Sequence, residues 1–245
     1  MRRVLLIFCC LSLSCGCSMV KTSKKWYREY LNTSPTVELT VQAEHECAPL
    51  DFASLFVPVD TRLNAFVQDL AAQDTYPADQ WLDTFMQRYP WLGSITAVNS
   101  NGEVLDQRLN GEKKDADLAA LCAGDWKNRQ PRGSFGTDES GTDIFLTMPF
   151  FKNNTWKGCL VARFSPKDLV RYSPHSESIV MFGPQQEILW PGQYGERIDS
   201  LADHPWSDLL KEKVSGEIKA YEQKFFWLGR AFAGTWLIYI VHVPE

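Results

Sequence analysis

The sequence predicts an α+β fold made of two successive antiparallel sheets, each with helices on one face, the first preceded by helical segments. Three observations predict it. The segment 142–164, TDIFLTMPFFKNNTWKGCLVARF, reads as two apolar, β-branched strands at 143–150 and 157–164, joined by the polar turn Lys152-Asn153-Asn154. A hairpin this apolar cannot stand alone in water and belongs in the middle of a sheet with at least one face covered. The segment 178–189, SIVMFGPQQEIL, matches 94–105, SITAVNSNGEVL, in length, in its Ser-Ile start and in its turn, glutamate and closing leucine. The order of elements around each copy is also the same, which points to an internal repeat.

Composition bounds the classes. With 44% hydrophobic and 22% charged residues, the 245-residue chain can build a sizeable core and is not disordered by composition. A net charge of −5 without a long basic run sets nucleic acid aside as a partner. Arg2-Arg3 and the apolar stretch 4–13 read as an export leader, the stretch being too short to span a bilayer. The cysteines that follow resemble the bacterial lipobox, in which a cysteine after small residues is lipidated and becomes the new N-terminus. Gly16-Cys17 fits best and Ser14-Cys15 is the rival; neither has leucine three residues earlier. Loss of Arg2 and Arg3 with the leader takes the charge to −7. The body is expected to be soluble, exported and held to a membrane by the lipid at Cys17.

The organisation expected is a leader at 1–16, a tether and extension at 17–59, a first domain at 60–173 and a second, smaller one at 174–245. Past the leader, Cys47, Cys122 and Cys159 remain; one disulfide with one thiol, or three buried thiols, both fit. Lys21, Lys24, Lys25 and Arg28 surround Trp26, Tyr27 and Tyr30, as in a solvated tether with docking aromatics or a short amphipathic helix near anionic head groups. Residues 36–62 show no clear period. Leu63, Phe66, Val67, Leu70 and Ala71 then mark an amphipathic helix. A second helix is expected over 77–88, with Pro77 in its first turn, Asp79 at the positive end of its dipole, an apolar face of Trp81, Leu82, Phe85 and Tyr89, and Pro90 as its stop.

A hairpin follows at 94–98 and 103–105, turning at Asn99-Ser100-Asn101-Gly102. A short helix over 115–123 ends at Gly124, and 125–136 reads as a loop carrying Trp126, Lys127, Arg129 and Arg132. After the central hairpin and the second copy of the first one comes a helix over 204–214, with Leu209, Leu210 and Val214 on one side. Strands at 217–221, 225–232 and 235–243 close the chain.

This order resembles that of PAS-like extracytoplasmic sensor domains, and two in tandem resemble the double Cache (PDC-type) family. The residues that carry the resemblance are 95–105, 143–149, Gly158-Cys159-Leu160-Val161-Ala162-Arg163-Phe164 ahead of Pro166-Lys167-Asp168-Leu169, and the second copy at 179–189 and 235–243. It spans about 60–243 as a pattern of elements. It implies a small ligand bound over the face of the first sheet. Members that bind amino acids carry Arg-x-Trp-Tyr before the central hairpin and an Asp late in the last strand. Here the loop reads Gly124-Asp125-Trp126-Lys127, so only Trp126 matches, and the late-strand position holds Arg163. With Lys127 or Arg129, Arg163 would favour a carboxylate or another anion, because guanidinium offers a bidentate donor fork. Asp143 and Phe145 share one face of their strand, either a pocket face or core and edge. The residues alone leave open whether Arg163 meets a ligand or solvent.

Family members usually continue into a transmembrane helix and a signalling module. The resemblance thus implies a free-standing sensor lipoprotein that binds a small molecule and signals to a partner protein. The alternative is a scaffold lipoprotein that kept the fold without the pocket. His45, His175, His204 and His242 are scattered, no zinc spacing occurs, and no Gly-x-Ser-x-Gly, phosphate loop or dinucleotide fingerprint is present. No cofactor and no enzymatic activity are therefore expected.

Overall fold

The computed structural model describes residues 48–78, 80–111, 114–139 and 141–243. The leader, Cys17, the tether at 18–36, Cys47 and Asp79 lie outside the described residues. The first helix, α1 (Ala48–Ala71), takes in the amphipathic helix expected from Leu63 to Ala71 and starts earlier, inside the stretch 36–62 where no period is clear, with Pro58 in its interior. Phe52, Phe56, Val59, Leu63, Phe66 and Leu70 are all buried, a stripe that alternates steps of four and three. An interior proline costs a helix about 3 kcal/mol. Burying each large apolar side chain returns about 1.5–3 kcal/mol, so six of them outweigh it.

The second helix, α2 (Trp81–Arg88), starts four residues later than expected, and Pro77 lies ahead of it rather than in its first turn. The chain there is engaged elsewhere. The amide of Phe151 donates to the carbonyl of Asp74 at 2.8 Å, and Tyr76 packs edge-on against Phe150. Tyr89 closes the helix, and burial together with a hydrogen bond to Asp69 pushes its hydroxyl pKa well up.

Next come β1 (Ser94–Asn99), β2 (Val104–Leu109), the short helix α3 (Leu118–Cys122), β3 (Arg132–Asp138), β4 (Gly141–Lys152), β5 (Thr155–Phe164) and α4 (Pro166–Val170). The strands form one antiparallel sheet in the order β2-β1-β5-β4-β3. Strand β3 corrects the loop expected at 125–136. Its glycines hide it in the sequence, and packing demands them. A methyl on Gly133 would meet Phe232 at 2.7 Å, and one on Gly136 would meet Phe145 at 2.9 Å. The β4–β5 turn falls on Asn153 and Asn154, both at positive φ, which asparagine tolerates.

The second half repeats the plan with β6 (Ile179–Phe182), β7 (Ile188–Trp190), α5 (Asp199–Ala202), α6 (Trp206–Glu212), β8 (Ser215–Ala220), β9 (Gln223–Phe232) and β10 (Thr235–Val243). Its sheet order, β7-β6-β10-β9-β8, is that of the first sheet, strand for strand. Helix α6 is shorter than the 204–214 expected. Val214 lies beyond it and is exposed, because Trp206 takes the buried position instead.

One apolar cluster runs beneath both sheets. It holds the α1 stripe, Ile95, Leu160, Ala162 and Phe164 of the first sheet, and Met181, Leu237, Tyr239 and Val241 of the second. Phe52 stacks on Phe226 at 5.0 Å, while Phe66 meets Trp91 and Phe164 edge-on. Arg230 of β9 is held by Asp60 and Asn64 of α1. On the far face of the second sheet Phe182, Phe225 and Trp227 pack in one cluster with Leu201 of α5 and Trp206 of α6.

Close packing at the sheet centre gives one direct test. A methyl group on Gly158 would lie 2.0 Å from the carbonyl oxygen of Val98, a backbone atom on the neighbouring strand. Gly158→Ala must therefore push β1 and β5 apart. It is expected to cost about 1–3 kcal/mol, seen as a lower urea midpoint with an unchanged slope.

Candidate functional site

The far face of the first sheet differs from that of the second. By the two-residue period of strands, Ser94 and Thr96 of β1, Val161 and Arg163 of β5, and Asp143 and Phe145 of β4 point to it. The register places Ser94 opposite Arg163, and Arg163 opposite Phe145. Helix α3 lies across this face. Asp117 caps it by accepting from the amide of Ala120 at 2.9 Å, and a disulfide ties Cys122 to Cys159 of β5. The pairing resolves the three-cysteine question for two of them. Trp126 is buried just beyond and donates its indole N–H to the carbonyl of Cys122 at 2.8 Å.

Between α3, its preceding segment and the sheet lies a cavity of about 150 Å³, lined by Ser94, Thr96, Gln107, Lys114, Asp115, Phe145 and Arg163 with apolar neighbours. A wider opening of about 310 Å³ continues past Lys114 toward β3, where Asp115, Asp138 and Asp143 reach it.

Arg163 is only 7% exposed and Asp143 5%. The guanidinium Nη1 lies 3.2 Å from Asp143 Oδ2, and Nε donates to Ser94 Oγ at 3.3 Å. Lys114 Nζ sits 2.8 Å from the same Asp143 oxygen and 3.4 Å from Asp138. One carboxylate oxygen is thus shared by two cations that line the cavity. Burying such charges is tolerable only when they are paired, since an isolated buried ion costs several kcal/mol. Gly93 makes the room: a methyl there would meet the guanidinium at 3.0 Å.

Of the six residues singled out from the sequence, the structure brings Phe145 and Arg163 to the cavity and Asp143 beside them, paired with Arg163 and reaching the adjoining opening. It places Trp126, Lys127 and Arg129 elsewhere. Trp126 packs in the cover of the sheet with Arg132 stacked 3.7 Å over its ring. Lys127 is exposed and pairs with Asp125 at 3.0 Å, a hydrogen bond that holds the Asp125 carboxyl below the usual carboxylate range. Arg129 donates to Asn154 at 2.9 Å and lies over Phe151. The residues not foreseen are Ser94, Thr96, Gln107 and Lys114. Alternation of Ser94 and Thr96 with Ile95 and Ala97 is a readable signal for one polar and one apolar face of β1. Lys114 gives none, because it sits in a charged connection.

No family profile matches the chain, and no curated protein matches it significantly. Solved structures do match in fold. The ligand-binding domain of the Pseudomonas aeruginosa amino acid chemoreceptor PctC, in complex with GABA, superposes with a TM-score of 0.53 at 10% identity over 79% of this chain and 94% of that one. A methyl-accepting chemotaxis protein X gives 0.53 at 13% identity over 80% and 98%. An extracellular ligand binding receptor from Desulfohalobium retbaense gives 0.49 at 14% identity; the match covers 80% of this chain but only 38% of that receptor. Two five-stranded antiparallel sheets of identical strand order, served by one long N-terminal helix, give this chain the tandem PAS-like fold of double Cache sensor domains.

Proposed function

We propose that this protein is an exported sensor lipoprotein whose first sheet binds a small carboxylate-bearing molecule and which passes that state to a partner protein. The observation that carries the reading is the pair of cations, buried Arg163 and half-buried Lys114, that lines a 150 Å³ cavity and shares the buried Asp143 carboxylate behind it. An apolar cavity of about this size holds a benzene molecule, so the ligand has roughly six to nine non-hydrogen atoms. Its carboxylate takes the donors of Arg163 and Lys114 and the hydroxyl of Ser94, and Phe145 covers its apolar part. As the ligand carboxylate enters, Asp143 gives up part of its share of the two cations and turns to any amine the ligand bears.

The Cys122–Cys159 disulfide supports export, since such bonds persist in oxidising compartments. On this reading the leader is 1–16, the lipid sits on Cys17, and the two sensor units occupy 60–173 and 174–245. The scaffold alternative rests on a different observation: Trp126, Cys122 and their apolar neighbours already fill part of the same face.

A thermal-shift screen with small carboxylates separates the two. A ligand at one hundred times its dissociation constant adds about 2.7 kcal/mol to the native state. For a body of this size that raises the melting temperature by roughly 5–10 °C. The same compound should give no shift in Arg163→Met. A panel in which no carboxylate stabilises the wild type removes the sensor reading and leaves the scaffold.

A further inference from the structure

A second cleft, on the second sheet and distinct from the Arg163 cavity, has a volume of about 430 Å³. It is lined by Gln193, Tyr194, Leu201, Tyr221, Gln223 and Phe225. Among the described residues that line it, none is charged. Its polar groups are amides and phenols, and its apolar surface is largely aromatic. Phe225 is buried at the floor with Tyr194 edge-on to it at 5.6 Å, while Gln193, Tyr221 and Gln223 stand at the solvent side.

The hairpin that carries Tyr221 is unusual for its sequence. Ala220 pairs with Gln223, so β8 and β9 are joined by the two residues Tyr221 and Glu222, at φ +50° and +63°. A turn of this kind favours Asn-Gly, because side chains with a Cβ are strained at positive φ. Of the other two-residue turns, Asn153-Asn154 follows that preference at both positions, and the Ala233-Gly234 turn follows it only at Gly234, with Ala233 at φ +45°. A bulky aromatic in the left-handed region is an outlier, and strained positions of this kind cluster where the side chain has work to do. Tyr221 is 55% exposed, so packing in the core does not account for it.

We propose that this cleft is a second ligand site, specific for a neutral saccharide, with Tyr221 as its platform. A sugar ring offers an apolar C–H face that packs on an aromatic ring, and hydroxyls that both donate and accept. Gln193 and Gln223 match those hydroxyls, since each amide carries donors and an acceptor on one planar group. The lack of charge among the described lining residues disfavours anions and amines there, and the volume falls within the range of small-ligand pockets. The carboxylate site and this cleft lie on different sheets and take different chemistry.

Calorimetric titration of the mature protein with chitotriose and with maltotriose tests the assignment, the two probes separating N-acetylated from plain saccharides. The wild type is expected to bind at least one of them. Tyr221→Asn is expected to weaken that binding at least tenfold while its melting temperature stays equal or rises, because asparagine suits the turn. Tyr221→Trp is expected to restore affinity to within threefold. The assignment is overturned if neither saccharide binds the wild type, if Tyr221→Asn binds as well as the wild type, or if Tyr221→Asn loses binding only together with a lowered melting temperature.

Discussion

The Cys122→Ser/Cys159→Ser protein is expected to be less stable by about 4 kcal/mol on the loop-entropy account, within a usual range of about 2–5. The bridge closes a loop across 37 positions, which contains the whole of β3 and β4 and the connection between them and α3. For a body near 200 residues this corresponds to a melting temperature roughly 8–16 °C lower. Thiol reductant on the wild type should reproduce the shift, and urea titration with and without reductant measures it. The effect is not only on folding. Helix α3 is a single short turn, and a helix of five residues has little stability of its own. It stays over the sheet through the bridge, the Asp117 cap and a few apolar contacts with Val98, Val161 and Trp126. Without the bridge the roof of the Arg163 cavity loosens, so any carboxylate that stabilises the wild type should bind the double variant more weakly. A double variant with unchanged urea midpoint would show that the bridge does not constrain the unfolded chain.

Arg163→Met is the second large effect. Methionine fills similar space but leaves Asp143 buried with Lys114 as its remaining ion-pair partner among the described residues. Breaking a buried pair from one side costs about 3–5 kcal/mol, and the surviving Lys114 contact puts this case near the lower figure. The paired change Arg163→Met/Asp143→Leu removes both charges. It should recover most of the loss, since apolar replacements of buried ion pairs are often neutral or stabilising. Recovery of stability without recovery of the carboxylate response is the expected combination. If the double change is as damaging as the sum of the singles, the two side chains are not energetically coupled and the pair is not what holds the site.

The elements that declare themselves in the sequence are those governed by local chemistry. The β4–β5 hairpin follows from its apolar runs and its Asn-Asn turn, and the matched segments 94–105 and 178–189 mark the equal strand order of the two sheets. Elsewhere packing overrules a local rule. Pro58 conceals a helix whose six-residue buried stripe outweighs one proline. Gly133 and Gly136 make β3 look like a loop because no side chain would fit beside Phe232 and Phe145. The site divides in the same way. Arg163, Asp143 and Phe145 could be found because strand alternation and register place them on one face. Lys127 and Arg129 sit near them in the chain, but the disulfide and Trp126 direct that loop outward. Lys114 arrives from a connection whose course is fixed only by tertiary contacts.

Helix α1 has 24 residues, which makes it about 36 Å long. Phe66 near one end rests on the back of the first sheet, and Phe52 near the other rests on the second sheet through Phe226. Both ends are gripped, and Arg230 clasps the middle through Asp60 and Asn64. Such a rod behaves as a lever with no slack at either arm. A tilt of about 3° about its centre moves each end by roughly 1 Å, as much as a tightly packed interior can absorb before side chains must change rotamer. Occupancy of a pocket on one sheet thus has a stiff route to the strands of the other.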